Sequence, residues 1–119
     1  MIGLFEEKQI GIDIVDIERF RKKNFIENES FYKKIFTDLE IQYCRKFSDP
    51  YPHFAGKFAL KEAVQKAIQE NTVFRKIETF HSNSRPEIII KNQEKKYKFI
   101  TSISHEKKYA IAIAISNKN

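Results

Sequence analysis

Between Tyr109 and Ser116 alanine and isoleucine alternate without a break. Ala110, Ala112 and Ala114 take one side, and Ile111, Ile113 and Ile115 the other. A period of two is that of a β-strand. Because both sides are apolar, the pattern predicts a sheet covered on both faces, one of them by a long helix. That helix is the second clear element. The turn Asp49-Pro50-Tyr51-Pro52 precedes it, and from His53 to about Gln69 there is no proline and one interior glycine. Leu60, Ala63, Val64, Ala67 and Ile68 recur at helical spacing and mark a core stripe. Roughly opposite lie Phe54, Ala55, Phe58, Ala59, Glu62 and Lys66. Two phenylalanines on that side predict that both faces of the helix's N-terminal half are covered.

The remaining elements fit around these two. Gln9 to Val15 alternate as a half-buried strand, with Ile10, Ile12 and Ile14 on one face and Gly11, Asp13 and Val15 on the other. Asp16 is expected to cap a helix over Ile17–Lys23 with a basic outer face, and Ser30 to cap a short turn over Phe31–Phe36. Thr37 and Glu40 have capping-box spacing, which predicts a helix from Thr37 to near Ser48. Strands are expected over Phe74–His81, Glu87–Lys91 and Lys96–His105, with a turn at Asn83-Ser84-Arg85-Pro86. The last of these strands pairs with Tyr109–Ser116 through a hairpin at His105-Glu106-Lys107-Lys108. The class is α+β: a strand, helices, then an antiparallel sheet packed against the long helix, in one domain over residues 1–119.

Composition narrows the function classes. Hydrophobic residues make up 41% of the 119, with eleven Phe and five Tyr, enough for a compact core and too many for a disordered chain. Cys44 is the single cysteine, which excludes an intramolecular disulfide and a cysteine-based zinc site. No apolar run approaches the ~18 residues of a membrane span. Met1 to Ile10 carry acids early and show no basic segment leading into an apolar one, so no signal peptide is read and a cytoplasmic protein is expected. A net charge of +6 favours anionic partners.

Three polar sites interrupt apolar structure. Asp13 sits within the Ile-rich strand, either at its solvent face or with a partner that keeps it ionised. Glu62 and Lys66 are four apart, which suits an ordinary helix salt bridge as well as a site. His105 closes Ser102-Ile103-Ser104-His105, where a histidine is either simply solvated or functional. Two carboxylates without a nearby second histidine or cysteine suit a hard cation such as Mg²⁺ rather than zinc. With only Gly3, Gly11 and Gly56 present, no phosphate-binding glycine loop of the P-loop kind can form.

Gly11-Ile12-Asp13-Ile14 with Arg19, then Phe54-Ala55-Gly56-Lys57-Phe58-Ala59-Leu60-Lys61-Glu62-Ala63 with Lys66, then Ser102-Ile103-Ser104-His105 together resemble the 4′-phosphopantetheinyl transferases, in particular the small holo-acyl-carrier-protein synthase type. The resemblance spans nearly the whole chain. It implies transfer of phosphopantetheine from coenzyme A to a serine of an apo acyl carrier protein, releasing 3′,5′-ADP. It further implies Asp13 and Glu62 as metal ligands and catalytic groups, Lys66 as a phosphate-facing catalytic lysine, and Lys57 and His105 as nucleotide-phosphate contacts. Arg19, Arg21, Lys22 and Lys23 become candidates for the surface that meets the acidic carrier. The serine proton would go to Glu62 or to a metal-bound water. Larger relatives resemble two such units fused, so a half-size chain implies a homotrimer with sites between subunits, for which the apolar face near Phe54 and Phe58 is a candidate surface.

Three departures accompany the resemblance. Gln69–Val73 carries no glycine where the family has a glycine-bearing loop. Ser84-Arg85-Pro86 stands where Gly-Lys-Pro is usual. Lys57 replaces an arginine and loses its bidentate fork. The missing glycine loop favours, as an alternative, an inactive relative. A small basic RNA-binding module is the alternative from another class, although the basic residues are scattered and no aromatic strand motif supports it.

Overall fold

A computed structural model describes residues 6–119; the first five residues of the N-terminal segment read above lie outside the described residues. Strand β1 (Lys8–Asp16) leads into a single helical turn, α1 (Glu18–Arg21), then α2 (Glu29–Ile35), α3 (Asp38–Arg45) and the long α4 (Tyr51–Ile68). A 3₁₀ turn (Phe74–Lys76) opens the strand half: β2 (Ile77–Ser82), β3 (Arg85–Ile90), β4 (Tyr97–His105) and β5 (Tyr109–Lys118). All pairings are antiparallel, in two sheets rather than one: β1-β5-β4 and the hairpin β2-β3. No helix among the described residues is long and apolar enough to cross a membrane.

The alanine side of β5 explains how α4 sits. Ala110, Ala112 and Ala114 are buried and face the helix, and so do Gly11 and Val15 of β1. A Cβ on Gly11 would stand 1.8 Å from the Ala63 carbonyl oxygen, so strand and helix backbones touch there. Gly56 allows a second close approach, since a Cβ there would stand 3.1 Å from the Ile103 side chain of β4. The isoleucine side is different. Ile10, Ile12, Ile14, Ile100 and Ile111 are exposed, Ile10 and Ile100 to 63% each. The sheet expected to be covered on both faces is therefore covered on one within a single chain.

The N-terminal half of α4 is covered on both faces, as its two phenylalanines predict, with Phe54 to Lys61 all buried. Phe54 and Phe58 are buried by their own chain, in an aromatic cluster with Phe20, Phe25, Tyr32 and Phe36. Phe54 is fully enclosed and Phe58 is only 7% exposed, so the two form no broad apolar face for another copy. This cluster closes the side of α4 away from the sheet.

Local signals held where backbone chemistry was strong. Thr37 caps α3 with both arms of a capping box, while the helix ends at Arg45, earlier than expected. Asn83 and Ser84 take positive φ in the two-residue turn joining β2 to β3, the geometry such hairpins need. Ser30 lies inside α2 rather than capping it, because α2 begins at Glu29. Asp16 accepts the Glu18 amide at 3.0 Å, one position before the formal cap Ile17. Phe74–Lys76 wind as 3₁₀, so β2 starts only at Ile77.

Gln69 ends α4 at φ 56°, ψ 33°, a left-handed conformation in which a Cβ costs ~1–2 kcal/mol. Gln69→Gly is therefore expected to raise stability by about 1 kcal/mol, less the backbone entropy glycine adds to the unfolded chain. Urea titration checks it, with loss of stability as the contrary result.

Candidate active site

Two polar clusters flank α4 on opposite sides. On the β1 side, Asp13 faces the helix because it shares a strand face with Gly11, whose missing side chain brings α4 against β1. Asp13 is partly buried, not on the solvent face. Lys66 reaches across to it, donating from Nζ to the Ile12 carbonyl at 2.8 Å and to Asp13 Oδ1 at 3.3 Å. Of the two readings open for Glu62 and Lys66, the plain helix salt bridge gives way to a bridge from Lys66 to the strand. Glu62 is partly buried, and its carboxyl is raised above the usual value by burial and then by the charge of Asp13, with Lys66 and Arg19 acting against the rise. Two carboxylates that repel each other, beside a lysine and an arginine, form a site that gains from a cation or from a proton. A divalent cation that keeps waters and takes one or two carboxylates fits this donor set. Among the described residues no group of three His, Cys, Asp or Glu side chains is placed to hold a metal ion by itself, so the remaining ligands would come from substrate phosphate and water.

On the β4 side lie Lys57 and His105. Val15, Ala110 and His105 form one row across the sheet, so His105 sits on the same helix-facing side as Asp13 but on the opposite edge strand. Gly56 permits that edge to approach α4. Lys57 is buried, donating from Nζ to the Thr79 carbonyl at 3.1 Å and to Thr79 Oγ1 at 3.0 Å, with its ammonium 4.7 Å from the Tyr43 ring centre. Burial holds its pKa below the ordinary lysine value, and Cys44, Glu40 and Glu78 oppose that shift.

Behind Lys57 lies a buried network in which Glu40 and Lys61 pair at 2.6 Å, both fully enclosed. Lys61 spends its other two donors on the Ile35 and Phe74 carbonyls, each at 2.9 Å. Glu40 accepts from the Thr37 amide and from both the amide and hydroxyl of Thr79. Every polar group is satisfied, and Thr79 joins the pair to Lys57. Two residues of this cluster escaped the sequence reading, His53 of α4 and His81 of β2. Both line one cleft of about 150 Å³ with Lys57 and His105. Separations of 28 and 24 residues leave no local signal by which their convergence could be read.

The basic surface is more divided than its sequence suggests. Arg21 is engaged by Glu18 at 3.2 Å and Asp49 at 2.8 Å. Arg19 lies over the Phe58 ring and Lys23 over Phe31. Arg19, Lys22 and Lys23 rim an apolar groove of about 460 Å³ floored by Phe20, Phe31 and Phe58.

Comparison with known proteins gives consistent results. Residues 9–114 match the model of the 4′-phosphopantetheinyl transferase superfamily. The chain is 41% identical over 109 residues to the holo-[acyl-carrier-protein] synthase of Thermodesulfovibrio yellowstonii, covering 89% of this chain and 95% of that one. It is 38% identical over 115 residues to that of Chlamydia caviae, covering 90% and 94%. Among solved structures, the Helicobacter pylori holo-[acyl-carrier-protein] synthase in complex with coenzyme A superposes with a TM-score of 0.80 at 32% identity, covering 91% of this chain and 99% of that one. The Bacillus anthracis synthase, in complex with coenzyme A (3′,5′-ADP), gives 0.80 at 27% identity, covering 93% and 96%. With its order of elements, its paired carboxylates and these matches along nearly its full length, the chain belongs to the 4′-phosphopantetheinyl transferase superfamily.

Proposed function

We propose that this protein transfers the 4′-phosphopantetheine group of coenzyme A to a serine hydroxyl of an acidic apo acyl carrier protein, releasing 3′,5′-ADP. The observation that carries the reading is the Asp13–Glu62–Lys66 cluster, placed where β1 touches α4. Asp13 and Glu62 would hold Mg²⁺, which when bound supplies positive charge to the phosphoryl oxygens. Lys66, half exposed and hydrogen-bonded to Asp13, turns to a phosphate oxygen and neutralises the leaving side. Glu62, a partly buried carboxylate of this cluster, is the chain's own group suited to take the serine proton. Lys57 and His105 receive a phosphate of the nucleotide. Intact mass of an apo acyl carrier protein after incubation with this protein, coenzyme A and Mg²⁺ tests the transfer. An unmodified carrier, with the protein folded, refutes it and leaves an inactive relative.

The working unit is a homotrimer. Lys57 and Lys66 are nine positions apart on α4, half a turn around the helix at ~100° per residue, and Asp13 and His105 lie on opposite edge strands. A ligand touching both clusters of one chain would have to cross the helix, whereas clusters from adjoining copies can face one gap. The uncovered isoleucine face provides an apolar surface for such contact. Sedimentation is expected to show trimers, and Ile12→Asp to dissociate them with loss of transfer. A fully active monomer is the contrary result.

The groove rimmed by Arg19, Lys22 and Lys23 is the carrier surface. Its apolar floor suits an amphipathic helix and its rim suits acidic side chains. Replacing Lys22 and Lys23 by Glu is expected to weaken carrier binding at least about tenfold and to flatten its dependence on salt. Coenzyme A binding should stay near wild type. Equal loss for both substrates would remove the assignment.

A further inference from the structure

All three histidines of the chain meet in one place. His53 from α4, His81 from β2 and His105 from β4 line the same small cleft beside Lys57. The His53 and His105 rings lie 5.5 Å apart, edge to face. His53 is stacked on Phe47 at 3.6 Å and His81 on Tyr43 at 4.9 Å, so both imidazoles are held in orientation by aromatic neighbours. No carboxylate lines the cleft among the described residues. Asp49 faces His53 from the turn before α4, and Glu40 and Glu78 face Lys57 from α3 and β2.

We propose that His53 and His81 join Lys57 and His105 in a proton-linked receptor for a phosphomonoester, which coenzyme A carries on its ribose. This rests on coenzyme A being the substrate, as proposed above. Four nitrogen-bearing side chains converge on a volume suited to one phosphate, and an imidazole can add a charge near neutral pH where a lysine or arginine cannot. Without ligand, burial lowers the pKa of both His53 and His81, aided by the positive charge of Lys57 and, for His53, by the other two histidines. The empty cleft thus avoids stacking up positive charge. A phosphate dianion reverses the balance, because an opposite charge at close range favours imidazolium. Binding then takes up protons, and affinity must rise as pH falls, down to about pH 6, where the phosphate itself gains a proton. The two histidines make the site select the phosphorylated ribose, and make that selection pH-dependent. They also offset the fork lost with lysine at position 57.

Proton NMR of the imidazoles across pH, with 3′,5′-ADP or with 5′-AMP, reads this directly. 3′,5′-ADP is expected to raise the midpoints of His53 and His81 by about one pH unit, a tenfold linkage, and 5′-AMP to raise them much less. Calorimetry should show the preference for coenzyme A over dephospho-coenzyme A growing about tenfold from pH 8.0 to pH 6.5. In a His53→Phe/His81→Phe variant, which keeps the ring stacking, that growth should shrink several-fold while dephospho-coenzyme A binds as in wild type. His53→Gln and His81→Gln singly provide the same comparison should the double variant not fold. Unmoved midpoints with 3′,5′-ADP bound, or a variant with undiminished pH dependence, overturns the proposal. Absence of any coenzyme A binding or transfer in wild type refutes the transferase reading instead. In that case inorganic phosphate is the probe: rising histidine midpoints support the receptor, and unmoved ones overturn it.

Discussion

Glu62→Gln is expected to lower phosphopantetheine transfer by about a thousandfold, the equivalent of ~4 kcal/mol in the barrier, and Asp13→Asn to do the same. Each keeps the shape of the side chain and removes the charge that, in the proposed function, would hold a cation. Stability should move the other way. The Glu62 carboxyl is raised by burial and by Asp13, so the folded chain holds its proton to higher pH than the unfolded chain. Between the ordinary carboxylate value and that raised value the folded state binds more protons, and stability falls as pH rises. In chelator at neutral pH, Glu62→Gln should therefore melt at or above wild type. With Mg²⁺ and coenzyme A added, wild type should gain stability by ligand linkage and the variants much less. Melting curves with and without Mg²⁺–coenzyme A, read beside turnover, separate this from a purely structural role. A Glu62→Gln protein with near-normal transfer would remove Glu62 from the chemistry.

The second large effect lies in the buried pair behind the histidine cleft. Lys61→Met leaves Glu40 enclosed without its cation, and Glu40→Gln leaves the Lys61 ammonium without its anion. Removing one partner of such a pair costs about 3–5 kcal/mol, here a large share of the stability of a small domain. Lys61 also ties the end of α2 and the 3₁₀ turn to α4 through its two carbonyl contacts, so the loss should loosen the segments on either side. The double variant Glu40→Gln/Lys61→Met should cost clearly less than the sum of the two, because no unpaired charge remains. Urea unfolding of the four proteins measures it. Additive single effects would show that the pair does not act as a unit. Because Thr79 links Glu40 to Lys57, the single variants should also weaken coenzyme A binding through the position of Lys57.

What the sequence determined was carried by short-range periodicity and by spacing within single elements. The alanine–isoleucine alternation needs only neighbouring residues to specify a strand with one small face. Thr37 and Glu40 need only one helical turn to form a cap. Asp13, Glu62, Lys66, Lys57 and His105 could be put forward as site residues because each stands within a local motif. The α+β class and the covering of the sheet by α4 follow from the same patterns. Tertiary structure decided which apolar faces remain free. Phe54 and Phe58 look alike from sequence whether they meet another copy or their own chain, and distant aromatic residues from Phe20 to Phe36 bury them. Ile10, Ile12 and Ile14 look like core and lie outward, because Gly11 lets the helix approach from the other side and an α-helix can cover only one face of a sheet. Lys66 bonds to Asp13 and Ile12 rather than to Glu62 because the strand acceptors lie close above it, which no spacing within a helix encodes. His53, His81 and His105 line one cleft only when α4, β2 and β4 pack, since contact between residues remote along the chain depends on how all the intervening elements fold.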